Sequence, residues 1–224
     1  MPRLLALLLR PVFYLGLRFI DWDPWERLSR NIAPTLFGSG SRHDFRWYFE
    51  GESHVRVESV DTLCDWLARC DYVRDPDLFF EPDYWQHPKT FEQLRKGDCE
   101  DHALWAWRKL TELGLPAEFY VGRWRTGKEA QPGFHAWVVF QDGGIQYLLE
   151  ATGSSRETIV RRLDDVRGDY FPHFAVDAAF TSSAFGGYML YLKEERAKRS
   201  ATHPAQDGHR HFHHGDTSHR HRVS

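Results

Sequence analysis

The sequence lacks a long apolar run, a dense set of cysteines and an excess of basic residues. Its longest uninterrupted apolar run, residues 4–9, is far shorter than the about 20 residues that a membrane-spanning helix needs. The formal net charge of −3 argues against a protein that binds nucleic acid through a strongly basic field. Three cysteines in 224 residues cannot form a disulfide scaffold, and their odd number favours free thiols in a reducing compartment, which predicts a cytoplasmic location.

The N-terminal segment, residues 1–20, is not typical of a secretory signal, because its apolar core is short and no small-residue cleavage site follows. Arg3, Arg10 and Arg18 fall on roughly one side of a helical wheel, with apolar side chains around the rest. This pattern is typical of a helix in a membrane interface, and equally of a helix packed on the domain. We predict residues 1–42 to be an amphipathic segment and linker; membrane contact through residues 1–20, and export, stay open.

The C-terminal tail, residues 200–224, is rich in histidine and has no apolar periodicity, which predicts disorder. Seven of the thirteen histidines lie there: His203, His209, His211, His213, His214, His219 and His221. Such a tract binds divalent metals adventitiously, but a defined metal site needs a few ligands at set geometry, and the tail has no such pattern.

The middle of the chain, residues 43–199, has the composition of one globular domain. Hydrophobic residues make up 42% of the sequence and aromatic residues 15%, including nine Trp, so we expect a ring-rich core. The predicted elements are helices over 57–72, 99–113 and 154–166 and strands over 117–124, 134–140, 145–150, 171–180 and 186–192. This order predicts an α+β fold. Cys64 and Cys70 follow the apolar stripe of the first helix and are predicted to be inert core thiols.

Cys99 lies at the predicted start of the second helix. Asp98 is a natural N-cap, Glu100 and Asp101 are acids in the first turn, and Gly114 is placed to end the helix. A helix N-terminus lowers the pKa of a thiol, and so does a nearby imidazolium, which makes the thiol a better nucleophile.

The hairpin that follows brings a histidine and an acid together. With Asp142 and Gly143 as the two turn residues, His135 lies directly opposite Glu150 on the same face of the sheet. A carboxylate there accepts the imidazole N–H, fixes its tautomer and stabilises its charged form. Both faces of these strands are apolar, so we expect the pair to be central in the sheet. Together with Cys99, the pattern predicts a Cys–His–Glu catalytic unit.

These residues carry a family resemblance. The stretch DYWQHPKTFEQLRKGDCEDHALWAWRKLTELGLP (83–116) resembles the nucleophile region of the transglutaminase-like superfamily, and more narrowly the bacterial transglutaminase-like cysteine proteinases. The matching positions are Trp85, Cys99, His135 and Glu150 within about residues 55–180. The resemblance implies a papain-like α+β domain, with the nucleophile helix packed on an antiparallel sheet. It also implies a cysteine peptidase or amide hydrolase that acts on a protein or peptide through a thioester acyl-enzyme.

Two features depart from the family's pattern. Glu150 stands where the family commonly has Asp. The family's better-known proteinases are exported and cleave surface adhesins, whereas this chain lacks a convincing signal, so that substrate is not carried over.

The resemblance also implies ligands and donors around the thiol. Relatives of this kind bind calcium through acids near the cysteine, which here indicates Asp98, Glu100 and Asp101, although these acids also suit a helix cap. No other cofactor is implied. The natural oxyanion donors are backbone N–H groups at the helix start, with Gln86 or the indole of Trp85 as side-chain candidates. Core packing is the alternative role for that indole.

Three other functions stay open on the sequence alone. An amine in place of water as acyl acceptor would make the protein a protein-glutamine acyltransferase. A domain that kept the fold and lost turnover would be a binding module. A third alternative is a membrane-surface adaptor that acts mainly through its N-terminal amphipathic segment.

Overall fold

The computed structural model describes residues 21–125, 127 and 132–202. The predicted amphipathic segment over 1–20 and all of the histidine-rich tail beyond residue 202 lie outside the described residues. Within the described ranges, no helix combines the length and apolar character needed to cross a bilayer.

The fold combines seven helices and nine strands among the described residues. The helices are α1 (Val60–Leu67), α2 (Asp75–Leu78), α3 (Pro88–Leu94), α4 (Cys99–Glu112), α5 (Arg156–Ile159), α6 (Leu163–Val166) and α7 (Gly186–Thr202). The strands are β1 (Arg27–Arg30), β2 (Asp71–Tyr72), β3 (Lys96–Gly97), β4 (Ala117–Trp124), β5 (Gly133–Asp142), β6 (Ile145–Leu149), β7 (Val160–Arg162), β8 (Tyr170–Asp177) and β9 (Ser182–Phe185).

Seven of the strands form one antiparallel sheet in the order β1-β9-β8-β4-β5-β6-β7, while β2 and β3 form a small parallel pair. Helix α4 packs on one face of this sheet against β5 and β4. The predicted α+β class, with the cysteine-bearing helix on an antiparallel sheet, is confirmed. The hairpin pair, predicted to be central, is internal in the sheet: β5 lies between β4 and β6, and β6 lies between β5 and the edge strand β7.

Helix α4 is the centre of the core. It begins after Asp98 as N-cap, and Gly114 follows its end with a positive φ of 78°, as the sequence predicts. Every residue from 100 to 110 is buried, because the sheet covers one side and aromatic rings cover the others. Trp105, for example, stacks on Trp66 of α1 with 3.9 Å between ring centroids.

The β5–β6 register differs from the prediction by two residues. Asp142 pairs with Ile145, so the turn residues are Gly143 and Gly144, with φ of 54° and 81°. Glycine adopts this left-handed region without a steric penalty, and a two-residue turn of this kind needs it at both positions. The predicted direct pairing of the histidine with the acid is therefore wrong. A shift of two keeps every side chain on its predicted face, whereas a shift of one would have reversed them all.

The helix predicted over 154–166 is also wrong in its middle. Strand β7 interrupts it by pairing with β6, which leaves the short helices α5 and α6 on either side. Ile159 and Val160 pack in the core under α4, whereas Leu163 and Val166 pack on the other face of the sheet. A single straight helix could not place these side chains on both faces of the sheet, so the apolar positions pack in two separate cores.

The strand predicted over 186–192 is the first part of α7 instead. Its first two residues, Gly186 and Gly187, explain the difference, because the absence of a side chain lets the helix start in close contact with the backbone at Asp23 and Pro172. A Cβ at Gly186 would lie 2.0 Å from the carbonyl oxygen of Asp23, and one at Gly187 would lie 2.3 Å from that of Pro172.

The folded region begins earlier than residue 43. Strand β1 lies in the predicted linker and forms the edge of the sheet by pairing with β9, and Phe37 is buried in the core. A four-residue edge strand has little periodicity of its own, so its partner β9 decides its conformation.

Candidate active site

His135 and Glu150 meet at the end of the β5–β6 ladder. His135 lies near the start of β5, and Glu150 is the residue directly after β6. The imidazole Nε2 lies 2.7 Å from Oε2 and 2.9 Å from Oε1 of the carboxylate, and both side chains are nearly buried. The contact is diagonal, since the ladder ends with Leu149 opposite Val138.

Three side chains hold the carboxylate of Glu150. Besides His135, the hydroxyl of Thr152 donates to Oε1 at 2.8 Å and the hydroxyl of Tyr170 donates to Oε2 at 3.0 Å. Burial alone raises the pKa of Glu150, but these hydrogen bonds outweigh it and lower the pKa below its ordinary value. The ionised carboxylate only accepts, so the proton of neutral His135 is assigned to Nε2 and Nδ1 remains an acceptor.

Cys99 is the first residue of α4, and the backbone N–H of Ala136, the residue that follows His135, is near enough to its sulfur to lower the thiol pKa. The thiol is thus next to β5 at the position of the histidine. Its own S–H donates to Glu100 Oε2 at 3.3 Å, and among the described residues no hydrogen bond joins it to His135.

The predicted lowering of the thiol pKa is wrong for this arrangement. Burial raises the pKa of Cys99 well above its usual value, and the charges of Glu100 and Asp98 raise it further, while the Ala136 N–H lowers it. Burial, and after it the charges of the neighbouring acids, therefore outweigh the effect of the helix N-terminus.

A cluster of buried and half-buried acids surrounds the start of α4. It consists of Asp75, Asp83, Asp98, Glu100 and Asp101. Three overlapping sets, one of which includes Cys99, have ligand atoms within 4.8 Å of one another. Burial raises the pKa of Asp75 to about 6, and burial with mutual repulsion raises the pKa values of Glu100 and Asp101 well above the ordinary range.

The donor set of this cluster fits a hard divalent cation such as Ca²⁺. Asp75 Oδ1 and Asp98 Oδ1 are buried without a hydrogen-bond partner among the described residues, and an unpaired buried carboxylate oxygen is costly. By contrast, Asp101 accepts from the backbone N–H of Gln86 at 2.7 Å and from that of Asp98 at 3.3 Å, so it ties the helix start in place.

Sequence reasoning proposed Asp98, Glu100 and Asp101 and missed Asp75 and Asp83. The available signal was the recurrence of acids in the proline-punctuated stretch 75–83, directly before the cysteine-bearing region. Tyr84 N–H donates to Asp75 at 2.6 Å, and Gly40 N–H donates to Asp83 at 2.7 Å, so loop folding brings both acids to the cluster.

The two side chains proposed as oxyanion donors already have partners. Trp85 Nε1 donates to Asp83 Oδ1 at 2.9 Å, and its ring is buried in the aromatic core. The amide nitrogen of Gln86 donates to the carbonyl of Lys96 at 2.9 Å and to Asp101. Their oxyanion role stays a prediction, and the backbone N–H of Cys99 is the donor nearest the nucleophile by position.

The other two cysteines differ from Cys99 in their surroundings. All three are free thiols. Burial raises the pKa of Cys64 to about 11 and that of Cys70 to about 12, which fits the predicted core role. Neither belongs to a cluster of possible metal ligands among the described residues.

Comparison with known proteins finds a family model that matches the middle of the chain. Residues 48–148 match the family model of the transglutaminase-like superfamily. The matched segment contains Trp85, Cys99 and His135 and ends two residues before Glu150, so the resemblance to the superfamily that the sequence carries is confirmed. No curated protein sequence matches the chain.

Solved structures resemble part of the chain at low identity. Calcium-bound LapG of Legionella pneumophila is 18% identical, with a TM-score of 0.41, over 61% of this chain and 78% of that chain. The EGTA-treated form is 18% identical, with a TM-score of 0.40, over 67% and 84%. A candidate cysteine protease from Cytophaga hutchinsonii is 16% identical, with a TM-score of 0.36, over 63% and 46%. Likeness at this level supports no conclusion about activity.

Proposed function

Because residues 48–148 match the family model of the transglutaminase-like superfamily, we propose that this protein is a cysteine peptidase or related amide hydrolase. Cys99 is the nucleophile, His135 is the base and then the acid, and Glu150 orients the imidazole. The observation that carries the proposal is the pair of hydrogen bonds, 2.7 and 2.9 Å long, between Nε2 of the histidine and the carboxylate, in a nearly buried site beside the thiol.

The acylation step follows from these groups. The sulfur of Cys99 attacks the carbonyl carbon of an amide, and its proton passes to Nδ1 of His135. The Glu150 carboxylate stabilises the imidazolium, and backbone N–H groups at the start of α4 stabilise the oxyanion. The C–N bond then breaks, His135 returns the proton to the leaving amine, and a thioester remains.

Deacylation reverses the roles. His135 takes a proton from water, the resulting hydroxide attacks the thioester carbonyl, and the C–S bond breaks. His135 returns its proton to the departing sulfur, so the products are a carboxylic acid and the thiol of Cys99. An amine in place of water would give a new amide, which is the acyltransferase outcome.

We also propose that Asp75, Asp98 and Glu100, with Asp83 beside them, hold Ca²⁺. The two unpartnered carboxylate oxygens of Asp75 and Asp98 support this assignment. When bound, the ion supplies positive charge that offsets the carboxylates. Without the ion, Glu100 accepts the S–H of Cys99. A cation that offsets the charge of Glu100 would weaken this hydrogen bond and so favour release of the thiol toward His135.

The direct test replaces the proposed nucleophile and base separately. Cys99→Ser and His135→Ala are each expected to lower hydrolysis of a fluorogenic peptide-amide library by about 1,000-fold or more, with an unchanged melting temperature. Cys70→Ser is the matched control, because Cys70 is half-buried and donates only to the carbonyl of Trp66. Full activity in either purified variant would refute the assignment.

A second assay defines the acceptor. The wild-type protein is incubated with a glutamine-rich protein and a labelled primary amine, with and without Ca²⁺. Release of peptide fragments without label supports hydrolysis, whereas incorporation of label that requires Cys99 identifies transfer.

A further inference from the structure

Glu150 needs more support than an aspartate would. A glutamate side chain has one more rotatable bond than an aspartate, so fixing its carboxylate against His135 restricts more motion. Each carboxylate oxygen accordingly has its own hydroxyl donor: Thr152 on Oε1 at 2.8 Å and Tyr170 on Oε2 at 3.0 Å. Thr152 is two residues away in sequence, whereas Tyr170 comes from a different part of the sheet.

Tyr170 is built rigidly into the face of the sheet that carries this pair. It is the first residue of β8, lies opposite Trp124 of β4, and is fully buried. Its ring contacts Trp137 edge-on at 5.0 Å between centroids and stacks on Trp124 at 6.1 Å. The hydroxyl therefore has one fixed position, across β4 and β5 from its own strand, at the carboxylate of Glu150.

Arg161 determines which way that hydroxyl points. Its Nη2 lies 3.0 Å from the Tyr170 hydroxyl oxygen, from the opposite side of the site on β7. A guanidinium only donates, so the tyrosine oxygen accepts from Arg161 and its hydrogen is directed to Glu150. The order of donors is thus Arg161 to Tyr170 to Glu150, with His135 donating to the same carboxylate from the other end.

We propose that Tyr170, oriented by Arg161, is a positioning residue for the catalytic histidine. It fixes the Glu150 carboxylate so that His135 keeps its proton on Nε2 and presents Nδ1 to the thiol of Cys99. The inference rests on the proposed function, since it concerns the same three groups. It explains how a glutamate serves at this position.

The experiment removes the hydroxyl and keeps the ring. Tyr170→Phe is compared with Tyr147→Phe, which removes a hydroxyl from neighbouring β6 where the ring stacks on Phe140. In protein labelled with ¹⁵N-histidine, the Nε2–H resonance of His135 is assigned by its loss in His135→Ala. We expect Tyr170→Phe to shift this resonance and to speed its exchange with water, whereas Tyr147→Phe leaves it unchanged.

Kinetics provide the second readout. Tyr170→Phe is expected to lower kcat by about 10- to 100-fold with KM nearly unchanged, because the lost hydrogen bond to a charged group acts on His135 and not on substrate binding. Arg161→Gln keeps Tyr170 intact and is expected to give the same changes at smaller size, which covers the case in which Tyr170→Phe does not fold.

The outcomes separate this inference from the proposed function. An Nε2–H resonance that stays unchanged in Arg161→Gln and in folded Tyr170→Phe overturns the positioning role, whatever the activity. If these variants shift the resonance but the wild-type protein hydrolyses no amide, the positioning role is supported and the peptidase assignment is refuted.

Discussion

Glu100 and Glu150 are equally buried, at 7% and 6% exposure, yet the pKa of Glu100 is raised and that of Glu150 is lowered. Burial raises both values, so it cannot cause the difference. Glu150 accepts hydrogen bonds from His135, Thr152 and Tyr170, whereas Glu100 faces Asp98 and Asp101.

The two environments suit two kinds of partner. The carboxylate of Glu150 is satisfied by the protein itself and therefore stays ionised beside the imidazole. The acids around Glu100 lack compensating charge, and a cation would supply it. The comparison teaches that the number and sign of neighbours, more than depth, decide what a buried acid does.

The largest effect is expected when Glu150, whose carboxylate has hydrogen-bond donors within the protein, loses its charge. Glu150→Gln keeps the length of the side chain but offers an amide that can donate, so His135 no longer has to carry its proton on Nε2. Turnover of a peptide amide should fall by about 1,000-fold or more. Glu157→Gln on exposed α5 is the control and should retain full activity. Near-normal turnover in Glu150→Gln would show that the acid does not orient the base.

An effect on stability is expected at the unsatisfied acids. The pKa of Asp75 is about 6 in the folded protein, whereas its ordinary value is 3.8. Because the pKa of Asp75 is higher in the folded than in the unfolded protein, the free energy of unfolding falls as the pH rises above the unfolded pKa. The fall is complete once the pH exceeds the folded pKa. In EDTA at about pH 8, Asp75→Asn should therefore raise the free energy of unfolding by about 3 kcal/mol, with little change below about pH 4.

Calcium should reverse the sign of that change. Urea unfolding is measured for wild type and Asp75→Asn, each in EDTA and in excess Ca²⁺. The wild type should gain stability from the ion and the variant should gain much less. Glu157→Gln is again the control. A variant that is less stable than wild type in EDTA at about pH 8 would contradict the proposed repulsion.

The smallest effect is expected at the thiol. Glu100→Gln removes a carboxylate whose charge raises the pKa of Cys99, so alkylation of this cysteine by iodoacetamide in EDTA should be about 10-fold faster in the alkaline range where Glu100 is ionised. Peptide mass spectrometry reads each site separately, and Cys64 and Cys70 serve as internal controls with unchanged rates. An unchanged rate at Cys99 would mean that burial alone keeps the thiol protonated.

Local signals in the sequence predict the nucleophile helix and the faces of the hairpin. Asp98 and Gly114 mark the ends of α4 because capping chemistry is decided within one helical turn. The alternation of side chains predicts that His135 and Glu150 share a face, and the even register shift preserves it. The register itself was not predictable, because Asp142–Gly143 and Gly143–Gly144 both suit a tight turn.

Helix ends, strand faces and the identity of Cys99, His135 and Glu150 as candidates are thus properties of the sequence by itself, since each depends on neighbours within a few residues. Only the tertiary structure decided the surroundings of these groups. It brought Asp75 and Asp83 to the thiol and Tyr170 and Arg161 to the carboxylate, across separations that no local pattern encodes. The pKa of a buried group depends on every charge and donor packed around it, and for that reason the pKa of Cys99 is raised where the sequence predicted it to be lowered, while the His135–Glu150 contact formed.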